Sequence, residues 1–185
     1  MGYEVALDKA WEELTGLACG KDLSVKFLGD EYNIDLKARK VISLSCNVPA
    51  KDFAGILILH YLARRIKGLP QLKNEWVSFK ELSGIEGYGP AFKKRVVKPV
   101  IRKYGLSPKA IFSAGGGRLG LKQSSGAADA GVVVDVFEGV PVLVELWAGD
   151  DEFGPEANML FDRSIRDIFC IEDIVVLGGF VASAL

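Results

Sequence analysis

The chain has 185 residues, of which 49% are hydrophobic and 25% are charged. This composition excludes intrinsic disorder and is sufficient for one core, so we expect a single domain over residues 1–185. The longest uncharged segment, residues 174–185, is too short to span a membrane. Together with the acidic residues near the start, this predicts a cytoplasmic protein without a membrane segment.

The charge is unevenly distributed along the chain. Residues 1–59 carry a net charge of −2, residues 60–122 carry +11 and residues 123–185 carry −10. Either the basic middle third packs against the acidic last third, or the basic third forms a surface for an anionic ligand or partner.

Hydrophobic spacing predicts the elements of the first third. An amphipathic helix opens the chain and ends near Gly20. Residues 23–46 alternate between apolar and polar around Gly29, which predicts an antiparallel meander. Residues 49–66 form a long apolar helix that Gly68 terminates.

Two helical signals follow in the middle third. Ser78 and Glu81 have the spacing of a capping box and predict a short helix. A basic helix begins at Pro90. Pro99 is expected to kink or split it, because the residue before a proline, here Lys98, is disfavoured in the α region.

A glycine-rich loop, residues 113–120, ends the next short helix. Backbone N–H groups of Gly116 and Gly117, with the Arg118 side chain, could cradle an anion. The loop follows a helix rather than a strand and lacks a Gly-Lys-Ser/Thr ending. The favoured interpretation is therefore a helix-to-strand connector with Gly115 as the helix C-cap.

Residues 130–147 predict a β-hairpin that turns at Glu138-Gly139. A two-residue turn sets Asp135 opposite Val142 and Glu145 opposite Val132. Asp135 and Glu145 then lie on opposite faces of the sheet and cannot form a carboxylate dyad. Because short turns join the strand pairs, and the chain closes with a helix over residues 171–185, we predict an α+β fold with a mostly antiparallel sheet and segregated helices.

The three cysteines, Cys19, Cys46 and Cys170, form no C-x-x-C pair. This argues against a disulfide framework, a zinc knuckle or an iron–sulfur cluster held by this chain alone, and we expect ordinary buried thiols. His60 is the only histidine, and it lies in the apolar sector of its helix. A hydrogen-bonded core histidine is the favoured interpretation, and the alternative is proton transfer or ligation of one cofactor metal.

The basic helix presents Lys94, Arg95, Lys98 and Arg102 in one sector. This sector could bind phosphates, but the sequence has no nucleic-acid-binding motif. The favoured interpretation is a solvent-exposed helix face whose positive charge balances the negative charge of the acidic third. The weak anion-binding candidates are Gly116, Gly117, Arg118, Arg95, Lys98 and Arg102.

The acids of the last third offer another candidate site. Residues 150–152 are consecutive acids after a strand, which suits either a divalent ion or a plain turn. Asp162 closes an apolar run, and an acid among apolar groups is either exposed or buried with a partner. Glu152 and Asp162 are the preferred pair of acids.

Five segments together carry a family resemblance: ILILHYLARR (56–65), EWVSFKELSGIEGYGPAF (75–92), the glycine-rich loop leading to Asp129, VPVLVELWAGDDEFGPEANMLFDRSI (140–165) and IEDIVVLG (171–178). They resemble the domain-of-unknown-function family 3786 (DUF3786) of anaerobic bacteria and archaea. The His-Tyr-Leu, Asp-Glu-Phe and Leu-Phe-Asp signatures of that family match residues 60–62, 151–153 and 160–162. The family brings no established activity. Some family members carry, before this domain, an iron–sulfur segment that resembles the one in the large subunit of the corrinoid iron–sulfur protein. The resemblance therefore implies a function linked to corrinoid and iron–sulfur metabolism. This chain lacks such a cysteine-rich segment.

These observations favour a cytoplasmic accessory protein that binds a small molecule, a cofactor or a partner protein. The expected binding pocket brings together His60, Tyr88, Asp129, Asp151, Glu152 and Asp162. One alternative is a hydrolase or transferase that uses a divalent metal at Asp151, Glu152 and Asp162. Another is an adaptor that binds nucleic acid or an acidic protein through the basic helix. Binding is favoured over catalysis, nucleic acid and membrane are not expected partners, and a monomer or homodimer is expected. The sequence assigns no catalytic residue, metal or cofactor.

Overall fold

The structure is a computed structural model that describes residues 2–18, 23–82, 84, 86–124 and 126–185. Its helices are α1 (Gly2–Ala18), α2 (Asp52–Lys67), α3 (Gly89–Phe92), α4 (Lys98–Tyr104) and α5 (Ile171–Ala184). Its strands are β1 (Leu23–Phe27), β2 (Asp30–Asp35), β3 (Lys40–Ser43), β4 (Trp76–Ser78), β5 (Lys122–Gln123), β6 (Ala130–Phe137), β7 (Val140–Trp147) and β8 (Glu156–Asp162).

The strands form two antiparallel sheets, which confirms the α+β fold class. The predicted meander is the three-stranded sheet β1-β2-β3, and the predicted hairpin is β6-β7 at the centre of a five-stranded sheet of order β4-β8-β7-β6-β5. The Leu28 N–H donates to the Val136 carbonyl at 3.0 Å and so joins the first turn of the meander to the larger sheet. None of the helices in the described ranges has the length and apolarity needed to cross a membrane.

The core is organised around Phe137, at the end of β6. Its ring stacks on Tyr61 of α2 with centroids 4.3 Å apart and on Phe27 of β1 at 4.8 Å. Phe169, just before α5, contacts the same ring at 6.1 Å. The Tyr61 hydroxyl is satisfied because it donates to the Glu138 carbonyl at 2.9 Å. One aromatic side chain therefore links both sheets to α2 and to the segment that positions α5.

Of the kink or split predicted at Pro99, the split does not occur. Lys98 has α-helical angles (φ −59°, ψ −42°), and the helix continues through a π-turn over Lys93–Val97. In that turn the Lys98 N–H donates to the Lys93 carbonyl, five residues back. A proline clashes with the carbonyl four residues before it, and a widened turn is one way to relieve that clash without ending the helix.

The predicted register of the β6-β7 hairpin is also wrong by one residue. Asp135 pairs with Pro141 and Glu145 pairs with Gly131, because a bulge shifts the register between Asp135 and Phe137. The bulge lets Val136 and Phe137 both be buried and provides a place for a proline, which cannot donate to a regular ladder. Asp135 and Glu145 consequently lie on the same face, but four residue pairs apart, or about 13 Å, so they still form no dyad.

Ion pairs join the basic middle third to the acidic last third. Lys73 lies 3.5 Å from Asp167, and Lys122 lies 2.7 Å from Asp135. The basic helix takes no part in this pairing: within the described residues no ion pair involves the exposed Lys94, Arg95, Lys98 or Arg102. The basic and acidic thirds are therefore joined in part, and these four side chains of the basic helix remain exposed.

The turn between β1 and β2 contains Gly29, where we expect an added side chain to destabilise the protein. A Cβ on Gly29, whose φ is +80°, would lie 2.3 Å from the backbone oxygen of Arg118. We expect Gly29→Ala to lower the free energy of unfolding by about 2 kcal/mol, because the added methyl group forces the two backbones apart. Gly116→Ala is the control, since Gly116 also has a positive φ of 56° but has nothing within 4 Å of its Cβ position.

Urea unfolding of both variants measures the difference. The control should lose only the cost of placing alanine in the left-handed region, about 1 kcal/mol. Equal losses in the two variants would contradict the close approach of Gly29 to Arg118.

Candidate functional site

A groove lies where α1, α2 and the start of α5 meet, with a volume of about 240 Å³. Residues 60, 64 and 67 of α2 face it together, because positions separated by three or four residues share one side of a helix. We call this cavity the His60 groove; it is lined by Glu13, His60, Arg64, Lys67, Ile168, Cys170 and Asp173.

His60 is paired with Asp173 in this groove. The His60 Nδ1 lies 2.8 Å from Asp173 Oδ2, and the two side chains are 30% and 11% exposed. The hydrogen bond to Asp173 raises the pKa of His60 and outweighs burial, which acts in the opposite direction. His60 is therefore hydrogen-bonded, as the favoured interpretation expected, but it is not fully buried in the core. Part of its ring borders the groove.

The contact with Asp173 determines what the other ring nitrogen can do. A carboxylate accepts, so Nδ1 carries a proton, and in the neutral ring Nε2 keeps its lone pair. Among the described residues, no hydrogen bond engages Nε2. His60 can therefore present a donor to the groove when protonated and an acceptor when neutral.

Asp173 is held in place by the start of α5. It is buried, and it lies in the first turn of the helix, where a negative charge is favourable. Its backbone N–H donates to the Cys170 Sγ at 3.5 Å. The helix start thus fixes the carboxylate that orients His60.

Arg64 brings an uncompensated cation to the groove. Its Nε is buried and has no hydrogen-bond partner within the described part of the chain. The Arg64 side chain is nevertheless partly exposed and lines the groove, and within the described residues it forms no ion pair. Lys67, the neighbouring cation, is already paired with Glu13 at 2.5 Å.

Cys170 is a poor nucleophile in this setting. Burial raises the pKa of its thiol to about 12, so the thiolate, which is the reactive form, is scarce at neutral pH. The expectation of buried cysteines is wrong for Cys46 and Cys170, which are both exposed as residues, although the Cys170 thiol is still partly shielded from solvent. The expectation for Cys19 lies outside the described residues.

Tyr88 reaches the same end of α5 as His60. Its hydroxyl donates to the Glu172 carboxylate, and this contact raises the pKa of Tyr88 and lowers that of Glu172. His60 and Tyr88 are therefore bound to adjacent acids, Asp173 and Glu172. Tyr88 itself does not line the His60 groove.

Asp162 has a structural position at the end of β8. Its Oδ1 accepts from the backbone N–H of Lys73 at 3.0 Å and of Ser164 at 2.9 Å. Burial raises the pKa of this carboxyl, but the hydrogen bonds from Ser164, Lys73 and Asn74 outweigh it and leave the pKa lowered. Ile168 separates Asp162 from the His60 groove, and the crevice beside Asp162 has no room for a water molecule.

The remaining predicted acids lie at the other end of the sheet. Asp150 closes a turn by accepting from the N–H groups of Glu152 and Phe153, and Asp151 and Glu152 are exposed. Asp129 accepts from the Ala148 N–H at 2.7 Å.

The structure therefore does not bring the six predicted pocket residues together. β8, whose seven residues span about 20 Å, separates the loop that holds Asp151 and Glu152 from Asp162. Within the described ranges, no group of three or more His, Cys, Asp or Glu side chains is placed to hold a metal ion. The geometry of Asp151, Glu152 and Asp162 therefore does not support the alternative of a metal-dependent hydrolase or transferase.

The weak anion-binding candidates also divide into two groups. Gly116 and Gly117 have positive φ angles of 56° and 81° in the connector, and Arg118 packs its backbone against Gly29. Arg95, Lys98 and Arg102 are exposed along the basic helix.

Sequence reasoning missed most of the groove. Arg64 and Lys67 follow His60 at helical spacing and could have been assigned to its face. Asp173 could not, because 113 residues separate it from His60 and no local pattern links the two. The missed lining residues are Glu13, Arg64, Lys67, Ile168, Cys170 and Asp173.

Comparison with known proteins agrees with the resemblance found in the sequence. A family model described as Domain of unknown function (DUF3786) matches residues 8–184. No curated protein and no solved structure gives a significant match. The match covers nearly the whole chain, and the chain belongs to the DUF3786 family.

Proposed function

We propose that this protein binds a small oxyanion-bearing molecule, a carboxylate or a phosphate, in the His60 groove. The observation that carries the proposal is that Arg64, which forms no ion pair within the described residues, lines the groove beside the His60–Asp173 pair. A groove of about 240 Å³ suits a small ligand, since drug-sized ligands occupy about 300–1,000 Å³. The cytoplasmic location expected from the sequence stays part of the proposal.

Each side chain has a defined role in this binding mode. Arg64 supplies a guanidinium, which matches the planar geometry of a carboxylate or phosphate. Protonated His60 donates from Nε2, while Asp173 holds the ring and favours its charged form. Affinity should therefore be greatest below the pKa of His60 and fall as the pH rises through it.

The chemistry of the groove favours binding over covalent catalysis. A nucleophile must be available in its reactive form, and the raised pKa of the Cys170 thiol works against that. Within the described residues, the other lining groups are one histidine, two cations, two acids and Ile168. These groups can recognise an anion and exchange a proton with it.

Thermal unfolding with inorganic phosphate, acetate and succinate tests the proposal. A ligand that binds only the folded state at ten times its dissociation constant adds about 1.4 kcal/mol of stability. We expect at least one of these probes to raise the melting temperature of the wild type, and Arg64→Gln to abolish that shift. Arg95→Gln is the matched control, because Arg95 is exposed and lies outside the groove.

The control also separates binding from general salt effects. Phosphate stabilises many proteins by exclusion from their surface, and that effect acts equally on both variants. Equal shifts in the wild type, Arg64→Gln and Arg95→Gln for all three probes would refute a specific site.

A second candidate function is supported by the orientation of His60. A histidine that donates one ring N–H to a carboxylate and leaves the other nitrogen free is the arrangement that metal-ligating histidines adopt. With one such histidine, the metal would have to arrive within its own cofactor, as in the corrinoid chemistry that the family resemblance implies. A groove of about 240 Å³ is too small to enclose a corrinoid, so such a cofactor would have to lie across the groove mouth with only its metal-bearing face toward His60. Ligation requires neutral His60, so this binding should strengthen as the pH rises, opposite to anion binding.

Absorbance spectra of aquocobalamin mixed with the protein distinguish the two candidates. Ligation by His60 predicts a spectral shift that grows with pH and is lost in His60→Gln. An unchanged spectrum across the pH range would exclude a corrinoid ligand to His60 and leave the anion proposal intact.

A further inference from the structure

The two most exposed large hydrophobic residues of the described ranges lie at one corner of the molecule. Leu106, just after α4, is 101% exposed, and Phe153, just before β8, is 69% exposed. Their chain segments touch, because a Cβ on Gly105 would lie 2.9 Å from the Pro155 side chain. Single exposed apolar residues are common, but two of this size at one place suggest a contact surface.

Charges of opposite sign flank this apolar pair. Arg102 lies in α4, four residues before Leu106, and Lys98 lies one helical turn before Arg102. Asp151 and Glu152 directly precede Phe153. All four charged residues are exposed and, within the described residues, none forms an ion pair. We call these six residues the Leu106 corner.

The two basic and two acidic residues of the Leu106 corner limit the kinds of partner that fit it. A nucleic acid or an anionic membrane would be attracted by Lys98 and Arg102 but repelled by Asp151 and Glu152. A fitting partner offers an apolar centre with one acidic and one basic flank, and the Leu106 corner itself has that composition. In a twofold pairing each contact occurs twice, so the acidic flank of one copy can meet the basic flank of the other.

We propose that the Leu106 corner is the interface of a homodimer. The apolar side chains form its centre, and the two reciprocal charge contacts set the orientation of the copies. This inference is independent of the His60 groove, whose lining residues are all different.

Sedimentation equilibrium of the full chain tests the apolar centre. We expect a monomer–dimer equilibrium, and we expect Phe153→Ser to raise the dimer dissociation constant about tenfold or more. Leu44→Ser is the matched control, because Leu44 is 54% exposed and lies outside the Leu106 corner. Circular dichroism confirms that each variant is folded.

Charge reversal tests the reciprocal pairing. The double variant Lys98→Glu/Arg102→Glu and the double variant Asp151→Lys/Glu152→Lys should each be monomeric when alone, because like charges then face each other twice. An equal mixture of the two should form a heterodimer, since both flanking contacts become attractive again. The proposal is overturned by a wild type that stays monomeric at every concentration, by a dimer that these variants leave unchanged, or by a mixture that fails to associate.

Discussion

Replacing Phe137 by alanine is expected to lower the free energy of unfolding by about 3–5 kcal/mol. Phe137 is 2% exposed, and its ring contacts Phe27, Tyr61 and Phe169. Removing the ring leaves a cavity where both sheets and α2 meet, and the rigid strands around it cannot close that space. Two-state urea unfolding measures the loss.

Phe137→Leu is the matched control for this cavity. Leucine keeps most of the buried volume and should cost clearly less than alanine, although it loses the ring stacking. If the alanine variant lost less than about 1 kcal/mol, Phe137 would not be the common contact of the two sheets.

Replacing Asp173 by alanine is expected to lower the free energy of unfolding by about 2–3 kcal/mol near pH 6, because a largely buried partner of His60 disappears. The effect should depend on pH in a defined direction. Asp173 raises the pKa of His60 above its ordinary value of 6.5. The charged pair therefore contributes fully below about pH 6.5, and this contribution is lost as the pH rises through the folded-state pKa.

Urea unfolding of the wild type and Asp173→Ala between about pH 6 and pH 8.5 measures this dependence. The difference between the two proteins should shrink toward the alkaline end. Asp167→Ala is the control, because Asp167 is exposed in its ion pair with Lys73 and should cost no more than about 0.5 kcal/mol. A difference that grows with pH would contradict the assigned His60–Asp173 interaction.

Patterns carried by neighbouring residues predicted much of the fold. The opening helix, the meander and α2 follow from hydrophobic spacing and from Gly68, which takes a φ of 107° at the end of α2. The capping box is present, since the Glu81 carboxylate accepts from the Ser78 N–H at 2.8 Å, although the helix it starts is a single 3₁₀ turn.

Two backbone irregularities explain where local rules failed. The π-turn before Pro99 and the bulge beside Pro141 each accommodate a proline inside a regular element. The standard rules predict a break or an edge at such positions. Burial of the surrounding helix face and strand is worth more than the local cost, so the element continues with one altered turn or one extra residue.

The candidate site was less predictable because its parts come from distant segments. His60 was singled out as the only histidine, but its partner Asp173 and the α1 residue Glu13 reach it only through packing of α1, α2 and α5. The acidic run at residues 150–152 has the composition of a cation site. Its acids remain in an exposed turn because Asp150 bonds to its own loop.

Anion binding in the His60 groove is proposed to depend on Arg64 and His60. Because His60 is the only histidine, its imidazole NMR signals report on the groove without overlap. Titration of these signals with pH, with and without inorganic phosphate, should show that phosphate raises the pKa of His60, since a nearby anion favours the charged ring. The rise should be absent in Arg64→Gln. An unchanged pKa in the wild type, or the same rise in both proteins, would contradict the claim.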